Sequence, residues 1–184
     1  MRHYTAGNLL EGVIVKRLMA LIPLLVIGAC VTPPAPLAPL RFSGPPSTTA
    51  YAAYLAPGTA TLKGQAFLTT RGGQVRTAAG REVTLDPATQ FSMEWFTQRG
   101  TDLGTFLQDP PDTTGLFRRA RRMVTADGDG RFEFDSLPPG AYLVRTVVTW
   151  DAPDPVWGTL TRQGGVVWKH VDVARGATVA VIVN

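Results

Sequence analysis

The sequence predicts an all-β fold, a seven-stranded antiparallel β-sandwich over residues 58–184, and three observations predict it. Apolar and polar residues alternate. Tyr142, Val144, Thr146, Val148 and Trp150 share one face of the run 141–150, while Phe132 and Phe134 alternate with Arg131, Glu133 and Asp135. The runs are short and separated by turn formers, among them Asp127-Gly128-Asp129-Gly130, Pro138-Pro139-Gly140 and Ala174-Arg175-Gly176. No stretch has a convincing helical period, and residues 93–106 leave room for only a short turn of helix.

The first element, residues 1–29, reads as a signal peptide. Lys16 and Arg17 precede an apolar run over 18–27, about half the roughly twenty residues that a membrane-spanning helix needs. Ile27-Gly28-Ala29-Cys30 closes it. This resembles a bacterial lipoprotein signal, and the resemblance implies acylation of Cys30, which becomes the new N-terminus and the membrane attachment. It also implies a place in the bacterial cell envelope. In a diderm that place is the outer membrane, because Val31 is not the Asp that commonly marks inner-membrane retention. A plain secretory cleavage after Ala29 is the competing reading. Residues 1–15 are long for a basic start and contain Glu11, so Val13 or Val15 is an alternative initiator that leaves the anchor unchanged.

Charge excludes one class of partner. The chain has 18 basic and 14 acidic residues. Loss of Arg2, Lys16, Arg17 and Glu11 with the signal leaves 15 basic and 13 acidic, a net charge of +2 instead of +4. Nothing in that balance argues for nucleic acid. Cys30 is the sole cysteine, so an exported domain must be held by its core without a disulfide.

Residues 30–57 read as a lipid-anchored, proline-rich linker that stays disordered. Pro33, Pro34, Pro36, Pro39, Pro45 and Pro46 keep the chain extended, and little apolar surface is available to bury. Tyr51, Tyr54 and Leu55 stand apart as residues able to dock on the domain that follows. Strands are then expected at 59–68, 82–85, 91–96, 121–125, around Phe132 and Phe134, at 141–150, 166–173 and 177–183. Val171, Val173, Val179, Val181 and Val183 can supply one shared core face. Trp95, Trp150 and Trp168 are assigned to strands. Two long connections remain, 97–117 and 151–165, and loops of that length are where binding usually resides.

Two phrases sharpen the fold. Asp127-Gly128-Asp129-Gly130-Arg-Phe132-Glu-Phe134-Asp-Ser-Leu137-Pro-Pro-Gly140-Ala-Tyr142-Leu-Val144 resembles the most recognisable part of carboxypeptidase regulatory-like domains. Gly80-Arg-Glu-Val83-Thr-Leu85-Asp-Pro87 is similar to an earlier strand of the same domains, and 171–179 fits their last hairpin. The resemblance covers roughly 58–184 and implies a transthyretin-like sandwich serving as an accessory, non-catalytic module. The residues agree with that outline: Pro-Pro-Gly forces a corner, and Tyr142 just after it is placed to bond back, as tyrosines do at corners in other sandwiches.

The side chains name no catalyst, cofactor or metal. His170 is the one histidine of the mature chain and lies in an expected strand, so neither a zinc set nor a site that needs several histidines can be assembled. Ser43, Ser47, Ser92 and Ser136 have no nucleophile-elbow context. Asp127 and Asp129 start like a calcium loop, but Arg131 and Phe132 follow, and a tight turn is the preferred reading.

Two candidate binding features are left. Arg118, Arg119, Arg121 and Arg122 form the densest charge run, either a basic patch for an acidic partner or a solvated edge strand that blocks aggregation. Trp157 lies among turn formers and is a candidate for stacking on a sugar or anchoring a protein. The expected function is a non-enzymatic, lipid-anchored protein-interaction or assembly module of the envelope. The alternative is a carbohydrate- or peptidoglycan-binding sandwich.

Overall fold

Two sheets face each other across an apolar core, with a short helical layer on the outer side of one of them. The computed structural model describes residues 38–105 and 108–184, and the compact unit is Ala38–Asn184. The expected signal and Cys30 lie outside the described residues. One sheet is built on β1 (Ala60–Thr69), flanked by β2 (Val75–Thr77), β5 (Arg131–Leu137) and β8 (Thr178–Val183). The other has the order β4 (Arg122–Thr125), β3 (Glu82–Pro87), β6 (Gly140–Pro153), β7 (Leu160–Val173). The all-β sandwich is therefore observed, with eight strands among the described residues.

The core follows from the alternation. Leu62, Val83, Leu85, Phe132, Phe134, Leu137, Tyr142, Val144 and Val148 are buried together between the sheets. Phe132 and Phe134 meet edge to face with centroids 5.9 Å apart. The Tyr142 hydroxyl donates to the Pro138 carbonyl at 2.8 Å, closing the Pro-Pro-Gly corner as expected. Burial pushes that phenol up to about 12.

The last two strands depart from the expected hairpin. β8 pairs in parallel with β1, from Thr61↔Thr178 to Ala66↔Val183, and the remaining ladders are antiparallel. The turn closed by Ala177 N–H on the Ala174 carbonyl carries the chain across the sandwich instead of folding β8 back on β7. The valines still share one core, because Val171 and Val173 come from one sheet and Val183 from the other, with Val179 and Val181 packed beside them.

Three further expectations are corrected. Residues 91–96 are helical: α2 (Gln90–Trp95) continues into a π-helical turn (Phe96–Gly100). Thr89 caps α2 by accepting from the Ser92 N–H, and Phe91, Ser92, Trp95 and Phe96 are buried, a spacing of one helical face. Trp95 thus belongs to a helix. Second, the domain does not start at Gly58. Residues 48–55 form α1 (Thr48–Leu55), capped by Ser47, with Tyr51 fully buried among Phe91, Trp95, Phe117 and Leu143. Edge-to-face contact of Tyr54 with Tyr142, centroids 5.2 Å apart, and its hydroxyl donated to the Ala141 carbonyl dock the helix on the corner. Gly140 permits this approach, since a Cβ there would stand 2.6 Å from the Tyr54 ring. The expected linker therefore ends well before 57.

Third, 151–165 is not a loop. β6 and β7 pair residue for residue from Gly140↔Val173 to Pro153↔Leu160. β3 borders β6 only as far as Thr146. Past that point the hairpin runs on as a two-stranded arm, about 20 Å long at roughly 3.3 Å per residue. The segment 97–117 is likewise structured in part. Asp112 accepts from the Thr114 and Phe117 N–H groups and so starts α3 (Leu116–Ala120).

Candidate functional site

The arm leaves the sheet beside an open cleft of about 560 Å³. Its walls come from the start of β3 (Arg81, Glu82), from the arm (Val147, Thr149, Arg162) and from Leu103. The polar groups are held in place. The Arg81 Nη2 donates to Thr149 Oγ1 at 3.3 Å, and Arg162 Nε donates to Asp151 Oδ1 at 2.9 Å. Asp151 and Arg162 are cross-strand partners in the ladder, so the backbone register sets this pair. Gly164 also lies in this stretch of the arm. Its φ of +96° and the Val148 carbonyl, 2.1 Å from where a Cβ would stand, exclude a side chain there.

The tip of the arm is a closed turn. The Asp154 carboxylate accepts from the Val156 and Trp157 N–H groups at 2.8 and 2.9 Å, and these bonds hold its carboxyl below the usual carboxylate range. The Asp154 N–H donates to the Thr159 carbonyl, and the Gly158 N–H to the Asp154 carbonyl. The backbone is thereby fixed while the side chains point away: Val156, Trp157 and Leu160 are 75 %, 80 % and 71 % exposed. Trp157, a sequence candidate for stacking on a sugar or anchoring a protein, therefore stands exposed at the tip.

The arginine run is divided. Arg119 and Arg122 are exposed, the latter on edge strand β4. Arg118 meets one oxygen of Asp109, Oδ2, through Nε and Nη2, each at 3.0 Å. Arg121 turns inward, its side chain only 7 % exposed, to bridge Asp86 (2.5 Å) and Asp109 (2.8 Å). Beneath it, Arg145 donates Nε and Nη2 to the other oxygen of Asp86 at 3.0 and 2.9 Å. Arg145 and Asp86 are 0 % and 1 % exposed. The guanidinium of Arg145 lies 4.7 Å from the Trp95 ring, and that of Arg121 lies 4.5 Å from the Phe117 ring. Desolvation lowers the Arg145 pKa, and the Asp86 charge opposes it. This buried network fastens the helical layer to the outer face of β3 and β6, so the four arginines do not form one free basic patch.

The remaining sequence candidates fall elsewhere. Asp127 Oδ1 accepts from the Asp129 and Arg131 N–H groups, and Asp129 pairs with Arg131, which makes the Asp-Gly-Asp-Gly segment a self-bonded turn. Among the described residues no group of three or more His, Cys, Asp or Glu is placed to hold a metal ion. His170 is exposed on β7. Ser43 is bonded to Glu94, Ser47 caps α1, Ser92 sits among the Tyr51 and Thr89 hydroxyls, and Ser136 takes a left-handed φ of 55° at the corner. Among the described residues no helix is long and apolar enough to cross a membrane. The cleft itself was not foreseen. Arg81, Thr149 and Arg162 are far apart in sequence, and only the ladder register brings them together.

Comparison with known proteins adds one pointer. No protein-family profile matches the chain. No curated protein matches it either. Among solved structures, the chain is similar to the crystal structure of a "putative carbohydrate binding protein" from Pseudomonas aeruginosa. The two are 28 % identical with a TM-score of 0.63, over 74 % of this chain and 95 % of that one.

Proposed function

We propose that the chain is a non-catalytic, lipid-anchored module of the bacterial envelope that binds carbohydrate in the cleft at the root of the β6–β7 arm. One observation carries the reading. Guanidinium donors, a carboxylate acceptor and a hydroxyl converge on an open cleft of about 560 Å³, beside apolar carbon from Leu103 and Val147. A sugar presents hydroxyls along its edge and C–H groups on its faces, and such a mixture of fixed polar groups and apolar wall suits both. The likeness to a solved structure described as carbohydrate binding supports the same reading. The anchor rests on Ile27-Gly28-Ala29-Cys30, and the accessory role on the resemblance to carboxypeptidase regulatory-like domains.

Titrating the full chain with envelope polysaccharide and peptidoglycan fragments in a calorimeter is expected to give saturable binding. A flat titration with every glycan overturns the carbohydrate reading. Acyl labelling tests the anchor separately: Cys30→Ala is expected to remove the label and the lipid-dependent part of membrane attachment. An unmodified Cys30 thiol in the native mature protein overturns it.

A second reading is favoured by the tip, where three apolar side chains stand exposed on a fixed turn. That is more apolar surface than a single stacking ring requires, and it suits a protein partner in an envelope assembly. Cross-links from residues 154–160 to one envelope protein, with no change of Trp157 fluorescence on adding glycans, are the expected outcome on this reading.

A further inference from the structure

We infer that the cleft takes an acidic sugar, a hexuronate unit whose carboxylate is held by Arg81 and Arg162 and whose hydroxyls are met by Glu82 and Thr149; this rests on the carbohydrate reading above. The argument starts from how the two guanidiniums are tied down. Asp151 takes only Nε of Arg162, so the terminal Nη1–Nη2 side of that fork makes no hydrogen bond to the described residues. Arg81 is held through one nitrogen by a neutral hydroxyl, which positions the group without neutralising it. Both arginines line the same cleft, and the Arg162 side chain is largely exposed to solvent. A guanidinium fixed on one flank and open on the other is suited to bidentate contact with a carboxylate.

Glu82 narrows the class further. It lines the same cleft as an acceptor-only group, and it would repel a ligand that carried only negative charge. A purely neutral sugar would satisfy Glu82 through its hydroxyls but add no anion for Arg81, which is bonded to a hydroxyl alone, or for the open end of Arg162, whose Nε is paired with Asp151. A hexuronate brings both parts on one ring: an anionic carboxylate for the forks and hydroxyl donors for the carboxylate of Glu82.

The test uses the full chain and matched pairs of oligosaccharides, galacturonate and glucuronate oligomers together with their methyl esters, which keep the ring and lose the charge. The acids are expected to bind at least about tenfold more tightly than the esters, with the difference shrinking as salt rises. Arg81→Gln and Arg162→Gln are each expected to remove most of that preference. Arg175→Gln, which removes an exposed charge outside the cleft lining, should retain it. Equal binding of acid and ester, or a preference that survives both cleft variants, overturns the acidic class and leaves the carbohydrate reading standing. If no acid, ester or neutral oligosaccharide saturates the protein, the carbohydrate reading falls and this inference falls with it.

Discussion

Asp86 sits between two guanidiniums in a space closed to water, with Arg145 on one oxygen and Arg121 on the other. A buried ion pair contributes little beyond what an apolar pair of the same shape would, yet removing one partner strands the other charge at a cost of about 3–5 kcal/mol. Asp86→Asn is therefore expected to lower the unfolding free energy by about that amount in a urea titration. Arg145→Met should cost less, because Asp86 keeps Arg121. Equal losses would place the cost in packing and not in the stranded charge. Two residues earlier in β3, the Thr84 hydroxyl is buried with no hydrogen-bond partner among the described residues. Thr84→Val keeps the branched shape and removes the stranded group, so its melting temperature should be unchanged or higher; a clear fall would reveal a bond to that hydroxyl. At this scale the sequence was only half legible. Arg145 interrupts an apolar run and so advertises an unusual site, but its partner lies 59 positions away. Arg121 looked like one member of a solvated charge run, because nothing in four neighbouring arginines says which one turns inward.

The elements that were misread are those whose pattern depends on a neighbour not yet placed. α2 has its helical spacing in Phe91, Trp95 and Phe96, but it is a six-residue element, and an apolar run that short reads equally as a strand. The distal arm buries no residue fully beyond Val148, so its alternation is weak, and Pro153, Pro155 and Gly164 imitate a loop. By contrast β1, β3, β5 and most of β6 were legible, because each packs one face on the core and the alternation records it. α1 was hidden by the prolines before it, although Tyr51 and Tyr54 stood out as the residues able to dock. Its contribution can be measured. A chain beginning at Gly58 loses the fully buried Tyr51 and the Tyr54 ring on Tyr142, and deleting a buried aromatic side chain costs about 3–5 kcal/mol. That chain is expected to melt well below one beginning at Ala38. Coincident melting curves would show that α1 adds nothing to the sandwich.

On the scale of the whole molecule, the helical layer meets the sandwich at the Asp86 network, at Leu143 and Trp168, and at the tyrosines around the Pro-Pro-Gly corner. The buried tyrosines set the alkaline limit. Burial raises the phenol of Tyr142 to about 12 and raises Tyr51 and Tyr54 as well. An unfolded tyrosine titrates near pH 10. Between those values the folded chain retains phenol protons that the unfolded chain releases, so the unfolded state binds fewer protons and stability falls as pH rises. The contribution is fully present below about pH 10 and is lost as pH climbs through the folded value near 12. Denaturant titrations at a series of pH values are therefore expected to show a downward slope beginning near pH 10. Tyr142→Phe also loses the hydroxyl bond to Pro138, and so should be less stable at neutral pH but fall less steeply above pH 10. The slope, and not the neutral value, is the discriminating quantity, because a lost hydrogen bond alone would shift the curve without changing its shape. An unchanged slope in Tyr142→Phe would assign the alkaline loss to other groups and leave the corner tyrosine a purely structural bond.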